Sequence, residues 1–241
     1  MKIAILSDIH GNLEALEAVL SDLEIQCPDS VVCLGDFIGY GPDPEAVVRR
    51  VINYGFISLL GNHESALFRK SDRSWMNFQA QENNEVTETL LSQQSLDYCF
   101  RLSRSVILEN ARFVHGCPPD SVLKYLHMLS DDEVLKCLST SEESFIFVGH
   151  THKLTLVSEH HNKVIRERLR EGVTLLDPEK KYIINAGSVG QPRDGNNKAK
   201  YILWNTVMSS IEVRALTYEV SVTAQKILQR GFPEAYAIRL R

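Results

Sequence analysis

In the first sixty residues, short apolar runs alternate with stretches of helical period, and each run stops on a polar cluster. Residues 2 to 6 (Lys-Ile-Ala-Ile-Leu) read as a continuous apolar strand, after which Leu13, Leu16, Leu20 and Leu23 recur at helical spacing behind Asn12, a good helix cap. Val31 to Leu34 is a second strand. Asp43-Pro44 reads as cap and first helical residue, Val47, Val48 and Val51 mark an apolar face, Gly55 closes the helix, and 56 to 60 make a third strand. Alternation of this kind selects a parallel sheet, because parallel neighbours need a long crossover. Ligands of such sheets gather beyond the carboxyl ends of the strands. Asp8, Asp36 and Asn62 all fall there.

Residues 65 to 103 change character: they are polar, lack Gly and Pro, carry Trp75, Phe78, Leu90, Leu91 and Leu96, and read as two or three helices inserted as a cap. Beyond them, strands are expected at 105 to 108, 111 to 114 and 145 to 148, with a helix over 131 to 139. A hairpin over 154 to 159 and 163 to 169 has His160-His161-Asn162 at its tip. Further strands fall near 173 to 176, 181 to 185, 200 to 204 and 207 to 216, and a helix over 219 to 230, stopped by Gly231 and Pro233, ends the fold. No repeat or linker-like stretch divides the 241 residues, 44% of them apolar. The expectation is one α/β domain over 1–241: a four-layer α-β-β-α sandwich of two mixed sheets, with a helical cap insertion at 65–103.

A net charge of -5 with no basic runs argues against stable nucleic acid binding or an anionic membrane surface. The apolar run at 3 to 6 is too short for a signal peptide, and no later stretch is long enough to span a bilayer. Five scattered cysteines without a C-x-x-C pair suit reduced thiols. These features fit a soluble, cytoplasmic protein.

The polar clusters carry the chemistry: Asp8-Ile9-His10, Gly35-Asp36, Gly61-Asn62-His63-Glu64, His115-Gly116 and Gly149-His150-Thr151-His152. Asp8, His10, Asp36, Asn62, His115, His150 and His152 offer oxygen or imidazole nitrogen, the donors that divalent transition metals take, with no thiolate needed. Seven donors exceed one tetrahedral site but suffice for two centres if one carboxylate bridges. Each residue also has a plainer reading. Asp8 could cap the helix that follows, Asp36 could be turn chemistry, and each histidine could be a hydrogen-bonded interior residue. His127, His160 and His161 read as surface residues, Cys117 as a buried inert thiol, and Glu64 as a cap or pairing partner of the next helix.

The ordered series Asp-x-His, Gly-Asp, Gly-Asn-His-Glu, His-Gly and Gly-His-Thr-His resembles the calcineurin-like metallophosphoesterase superfamily. The strings from Gly35 to Pro44 and from Asn185 to Arg193 resemble its small prokaryotic branch, which includes phosphodiesterases and dinucleoside-polyphosphate hydrolases. The likeness runs from about residue 1 to 230. It implies two divalent ions (Mn, Fe, Zn, Co or Ni, with Mn favoured): one held by Asp8, His10, the bridging Asp36 and His152, the other by Asp36, Asn62, His115 and His150. It further implies hydrolysis of a phosphodiester or nucleotide-type ester by a metal-bridging hydroxide, with His63 as general acid. The small phosphorylated substrate would be a phosphodiester, nucleotide or dinucleoside polyphosphate. In place of the Asp-Arg-Gly that protein phosphatases and symmetrical dinucleoside-tetraphosphate hydrolases carry after Gly-Asp, this chain has Gly39-Tyr40-Gly41. That change counts against those activities. Arg193 is the candidate replacement for the phosphate grip, its plainer reading being a surface pair with Asp194. Tyr40 could contact a leaving group or pack on the cap. A phosphoprotein phosphatase and a non-catalytic protein-binding scaffold on the same fold are the alternatives.

Overall fold

Strands buried on both faces need apolar side chains at every position, and period-2 alternation then sends neighbours to different cores. The computed structural model describes residues 1–241 and follows this rule. In β1 (Lys2–Leu6), Ala4 and Leu6 join Leu16, Val19 and Val47 of the flanking helices, while Ile3 and Ile5 face Phe113, Phe147 and Trp204. β6 (Phe145–Val148) divides in the same way: Phe145 and Phe147 face inward, and Ile146 and Val148 pack with Val134 and Leu138 of α7 (Asp131–Thr140).

β1, β2 (Ser30–Cys33) and β3 (Ile57–Ser58) are parallel, with α1 (Leu13–Gln26) and α2 (Pro44–Tyr54) as the crossovers. β11 (Ala199–Asn205), β12 (Ser210–Leu216) and β9 (Gly172–Leu175) complete this sheet in the order β3-β2-β1-β11-β12-β9, their pairings antiparallel. The second sheet runs β4-β5-β6-β10-β7-β8, from β4 (Ser105–Leu108), β5 (Ala111–Val114), β10 (Tyr182–Asn185), β7 (Thr155–His160) and β8 (Lys163–Arg168). β5, β6 and β10 are mutually parallel. Helices outside both sheets make four layers, as expected. Trp204 ties the inner layer, its ring 5.1 Å from Phe145 and 5.2 Å from Phe147.

The segment after β3 is helical: α3 (Asn62–Phe68), the single turn α4 (Lys70–Arg73), α5 (Phe78–Thr89) and α6 (Gln93–Phe100). Three expectations need correction. β3 keeps two residues of the five expected, because Leu59 makes only an isolated bridge to Ser103 and the chain turns at once into α3. The strand expected over 207 to 216 begins at Ser210, since residues 206 to 209 form a turn with Ser209 at φ 44. α8 (Val220–Gln229) does not end the fold. Gly231, at φ 71, turns the chain, and α9 (Glu234–Arg239) folds back so that Phe232, Tyr236, Ala237 and Leu240 cover Ala224 and Ile227. No helix is long and apolar enough to cross a membrane.

Candidate metal centre

Sharp backbone turns deliver the polar clusters. Asp8, His10, Asp36, Tyr40, His150 and His152 all have φ between 51 and 63. That left-handed region costs an ordinary residue roughly 1–2 kcal/mol and persists where surrounding structure enforces it. The enforcement is visible: Asp8 N donates to Gly35 O at 3.1 Å and His10 N to Asp36 O at 2.9 Å, locking the two loops together. Across the sheets, His150 N donates to Asp8 Oδ2 at 3.0 Å. Glycine is required where side chains crowd. A Cβ on Gly39 would lie 2.1 Å from His63 Nδ1, and one on Gly61 would lie 2.2 Å from Asp36 Oδ1.

Three donor groups result, each with ligand atoms within 4.8 Å of one another: Asp8, His10 and His152; Asp36, His115 and His150; and His10, Asp36 and His63. The ring nitrogens are sorted by their outward partners. His10 Nδ1 meets Ile38 O at 2.9 Å, His115 Nδ1 meets Leu34 O at 3.0 Å, and His152 Nδ1 meets Gln191 O at 2.6 Å. A carbonyl can only accept, so each outward nitrogen carries the proton and each Nε2 points its lone pair inward. His150 is turned the other way, with Nε2 on Leu123 O at 3.2 Å and Nδ1 inward. The inward nitrogens therefore meet face to face, His10 with His152 at 3.2 Å and His115 with His150 at 3.2 Å. Opposed lone pairs repel, so each pair calls for positive charge between its members. Asp36 Oδ2 stands between the pairs, 3.3 Å from His115 Nε2 and 3.7 Å from His10 Nε2. Asn62 Oδ1 lies 3.0 Å from His115 Nε2, and the buried Asp8 Oδ1 has no hydrogen-bond partner. This donor set of imidazole nitrogens and carboxylate and amide oxygens fits a divalent metal centre.

The protonation states agree at every group but His115. Burial would raise the Asp8 and Asp36 carboxyls, but the facing imidazoles, His152 and His10 for Asp8 and His115 and His63 for Asp36, hold both below the usual carboxylate range. Burial lowers His150 to about 3 and His152 to about 4, favouring the neutral form that ligates. Burial works in the same direction on His115, yet the Asp36 and Asp8 charges overcome it and push that imidazole up to about 9. There a proton can supply the positive charge that the geometry calls for.

The structure thus brings together Asp8, His10, Asp36, Asn62, His115, His150 and His152, with His63 beside them. His63 Nδ1 is buried without a partner, its backbone N–H donates to Asp36 Oδ1 at 3.0 Å, and its ring packs on His10 and Tyr40. Asn12, not Asp8, caps α1, its side chain accepting from Ala15 N at 3.1 Å. Glu64 does more than cap α3. Its carboxylate accepts from Gly61 N, Asp36 N, Phe37 N and Ile38 N at 2.8 to 3.2 Å, and so holds the Asp36 loop in place. Burial, then the Asp36 charge, pushes Glu64 up to about 7 against those four donors. The expected Arg193–Asp194 pair is absent because Asp194 binds the buried Lys200 at 2.7 Å. Arg193 reaches Gln191 Oε1 at 2.9 Å, and its buried Nε is unpartnered. Tyr40 packs on His10 and His63, and its backbone N–H donates to Asn83 of α5 at 2.7 Å, which joins it to the cap. Cys117 is a buried thiol, pushed by burial up to about 12, whereas Cys27 is exposed. His127, His160 and His161 are exposed.

Sequence reasoning missed the supports. Ser188 Oγ donates to Asp8 O at 2.8 Å and Asn185 Nδ2 to Gly149 O at 2.6 Å, so the Asn185 to Arg193 string buttresses the centre from behind. Tyr125 stacks on His150 at 3.7 Å and 14°, but its segment has no periodicity that could have pointed to it.

The comparisons agree with this geometry. An uncharacterised protein of Methanocaldococcus jannaschii is 34% identical over 244 aligned positions, which cover 99% of this chain and 96% of that protein. The crystal structure of a metallophosphoesterase from Sphaerobacter thermophilus superposes with a TM-score of 0.87 at 33% identity, covering 100% of this chain and 98% of its own. A hypothetical protein from Pyrococcus horikoshii shares the fold, with a TM-score of 0.80 at 16% identity over 99% of this chain and 97% of that one. The family model for the calcineurin-like phosphoesterase superfamily domain matches residues 1–208. With that match and the imidazole and carboxylate cluster at its sheet ends, this chain belongs to the calcineurin-like phosphoesterase superfamily.

Proposed function

We propose that this protein is a soluble, cytoplasmic, dinuclear-metal-dependent hydrolase of small phosphodiesters or nucleotide-type phosphate esters. The observation that carries the reading is the pair of opposed imidazole contacts, 3.2 Å each, with Asp36 Oδ2 between them. Asp8, His10, Asp36 and His152 would hold one ion, and Asp36, Asn62, His115 and His150 the other. Two such ions, when bound, lower the pKa of water towards neutrality and offset phosphate charge. Oxygen and imidazole donors admit Mn, Fe, Zn, Co or Ni, with Mn favoured.

This chain's own residues do the rest. Asn62 contributes an oxygen without adding negative charge that would repel an anionic ester. His63, with its ring packed on His10 and Tyr40 and its backbone held by Asp36, delivers a proton to the departing oxygen. Burial lowers His63 to about 3, so its protonated form depends on the charge of the bound phosphate beside it. Arg193 offers its free Nε to a phosphate oxygen, and Tyr40 walls the side of the site where His63 sits. The 65–103 helices cap the cleft within a single domain over 1–241.

A panel of bis-aryl phosphodiester, cyclic nucleotide, dinucleoside polyphosphate and phosphopeptide, assayed with added manganese and with chelator, tests this reading. Metal-dependent turnover of the diester or a nucleotide, abolished by chelator, is expected. Turnover of the phosphopeptide alone would move the assignment to a phosphoprotein phosphatase, and inactivity throughout would favour a scaffold.

A further inference from the structure

Between the 65–103 helices and the loop joining β5 to α7, the site opens into a cavity of about 300 Å³. Asn62 and His150 line it, so a group lodged there is covalently within reach of anything bound at the centre. One wall is Trp75, Met76 and Ala80, and the other is Leu123, Tyr125 and Met128. No Lys, Arg, Asp or Glu side chain lines it. A polyphosphate tail would find no counter-charge in this direction. Trp75 is 71% exposed and Met128 56% exposed, large apolar groups held in water at the mouth of a buried polar centre. Tyr125 is fixed by its flat stack on His150. Flat aromatic faces and polarisable thioethers together favour a planar π system over a flexible alkyl chain.

We infer that this cavity is the subsite for the organic group of the ester, and that it selects flat, uncharged aromatic groups. Trp75, Tyr125 and Met128 are its specificity-determining residues. The inference rests on the phosphoesterase reading above and adds the class of ester that the site prefers.

Phenylphosphonate and methylphosphonate separate the two claims, because neither is hydrolysed and they differ only in the ring. Their binding to the full manganese-loaded chain is measured by calorimetry and by tryptophan emission, which reports on Trp75 because Trp204 is 1% exposed. Phenylphosphonate should bind about tenfold tighter and quench the emission, whereas methylphosphonate should not quench it. Trp75→Ala and Met128→Ala, both at exposed positions, should each erode that preference and leave methylphosphonate affinity and the melting temperature unchanged. Equal affinity of the two probes for the native chain would overturn the subsite while leaving the phosphoesterase reading intact. A preference that survived both substitutions would overturn it as well. If neither probe bound, the phosphoesterase reading would fail and the subsite with it.

Discussion

His63 and Asp36 are joined by a backbone-to-carboxylate hydrogen bond of 3.0 Å, yet their tasks are separable. His63→Asn should keep the metal content of the native chain and lower kcat by roughly 10²–10⁴ for esters with poor leaving groups. The loss should be much smaller for nitrophenyl esters, whose leaving group needs no proton; equal losses would remove His63 from the acid role. Glu64 makes a different prediction. Glu64→Gln sets an amide NH2 against two of the four backbone N–H donors, since each carboxylate oxygen accepts two, so thermal unfolding should show a loss of about 1–3 kcal/mol. Metal affinity, read by titration, should fall about 10–100-fold because the Asp36 loop is released. Which residues meet at the centre was legible in the sequence, since every one follows a strand end. How Glu64 holds them was not. Its spacing from Gly61 reveals a helix cap, but the convergence of three further amides depends on where the Asp36 loop turns. For the same reason the adjacent Arg193 and Asp194 looked like partners, while Lys200, six residues on from Asp194, holds the carboxylate.

At the scale of elements, α1 is pinned to the first sheet by Asp22, which accepts from Arg214 of β12 at 2.7 Å and from Tyr201 of β11 at 2.6 Å. Burial raises the Asp22 carboxyl, but the Arg214 and Tyr201 hydrogen bonds outweigh it and leave the pKa below its ordinary 3.8. A depressed carboxylate adds stability that is complete above the unfolded-state pKa and is lost as pH falls through the folded-state value. Asp22→Asn should therefore melt below the native protein near neutrality, by about 1–3 kcal/mol, and the gap should close below pH 3.8. A gap unchanged from pH 7 to pH 2 would contradict this. Strands and crossover helices were legible because their periods are local. α9 was not: Gly231 and Pro233 are helix-stopping signals, and only packing on Ala224 and Ile227 restarts a helix beyond them. Its Tyr236 reaches Tyr40, with ring centroids 5.1 Å apart, so an element beyond the expected end of the fold braces the site wall.

Over the whole molecule, the two sheets present the carboxyl ends of their parallel strands at one edge, and hydrogen bonds between loops join them there. His150 N reaches Asp8, and Val189 N reaches Ser7 O at 2.9 Å. Cations shared by donors from both sheets would clamp that edge, so metal removal should destabilise the entire fold. With free metal at about a hundred times its Kd for each of two sites, chelation should lower the melting temperature by roughly 10–20 °C, and manganese should restore it. The four-layer arrangement was legible because strands apolar at every position must be covered on both faces. The order of strands within each sheet was not, since pairings such as β1 with β11 join residues some two hundred positions apart. Anomalous diffraction from crystals grown with manganese tests the shared-carboxylate centre most directly. Two peaks roughly 3.5–4 Å apart should flank Asp36 Oδ2, one by Asp8, His10 and His152 and the other by Asn62, His115 and His150. A single peak, or density away from these side chains, would contradict it.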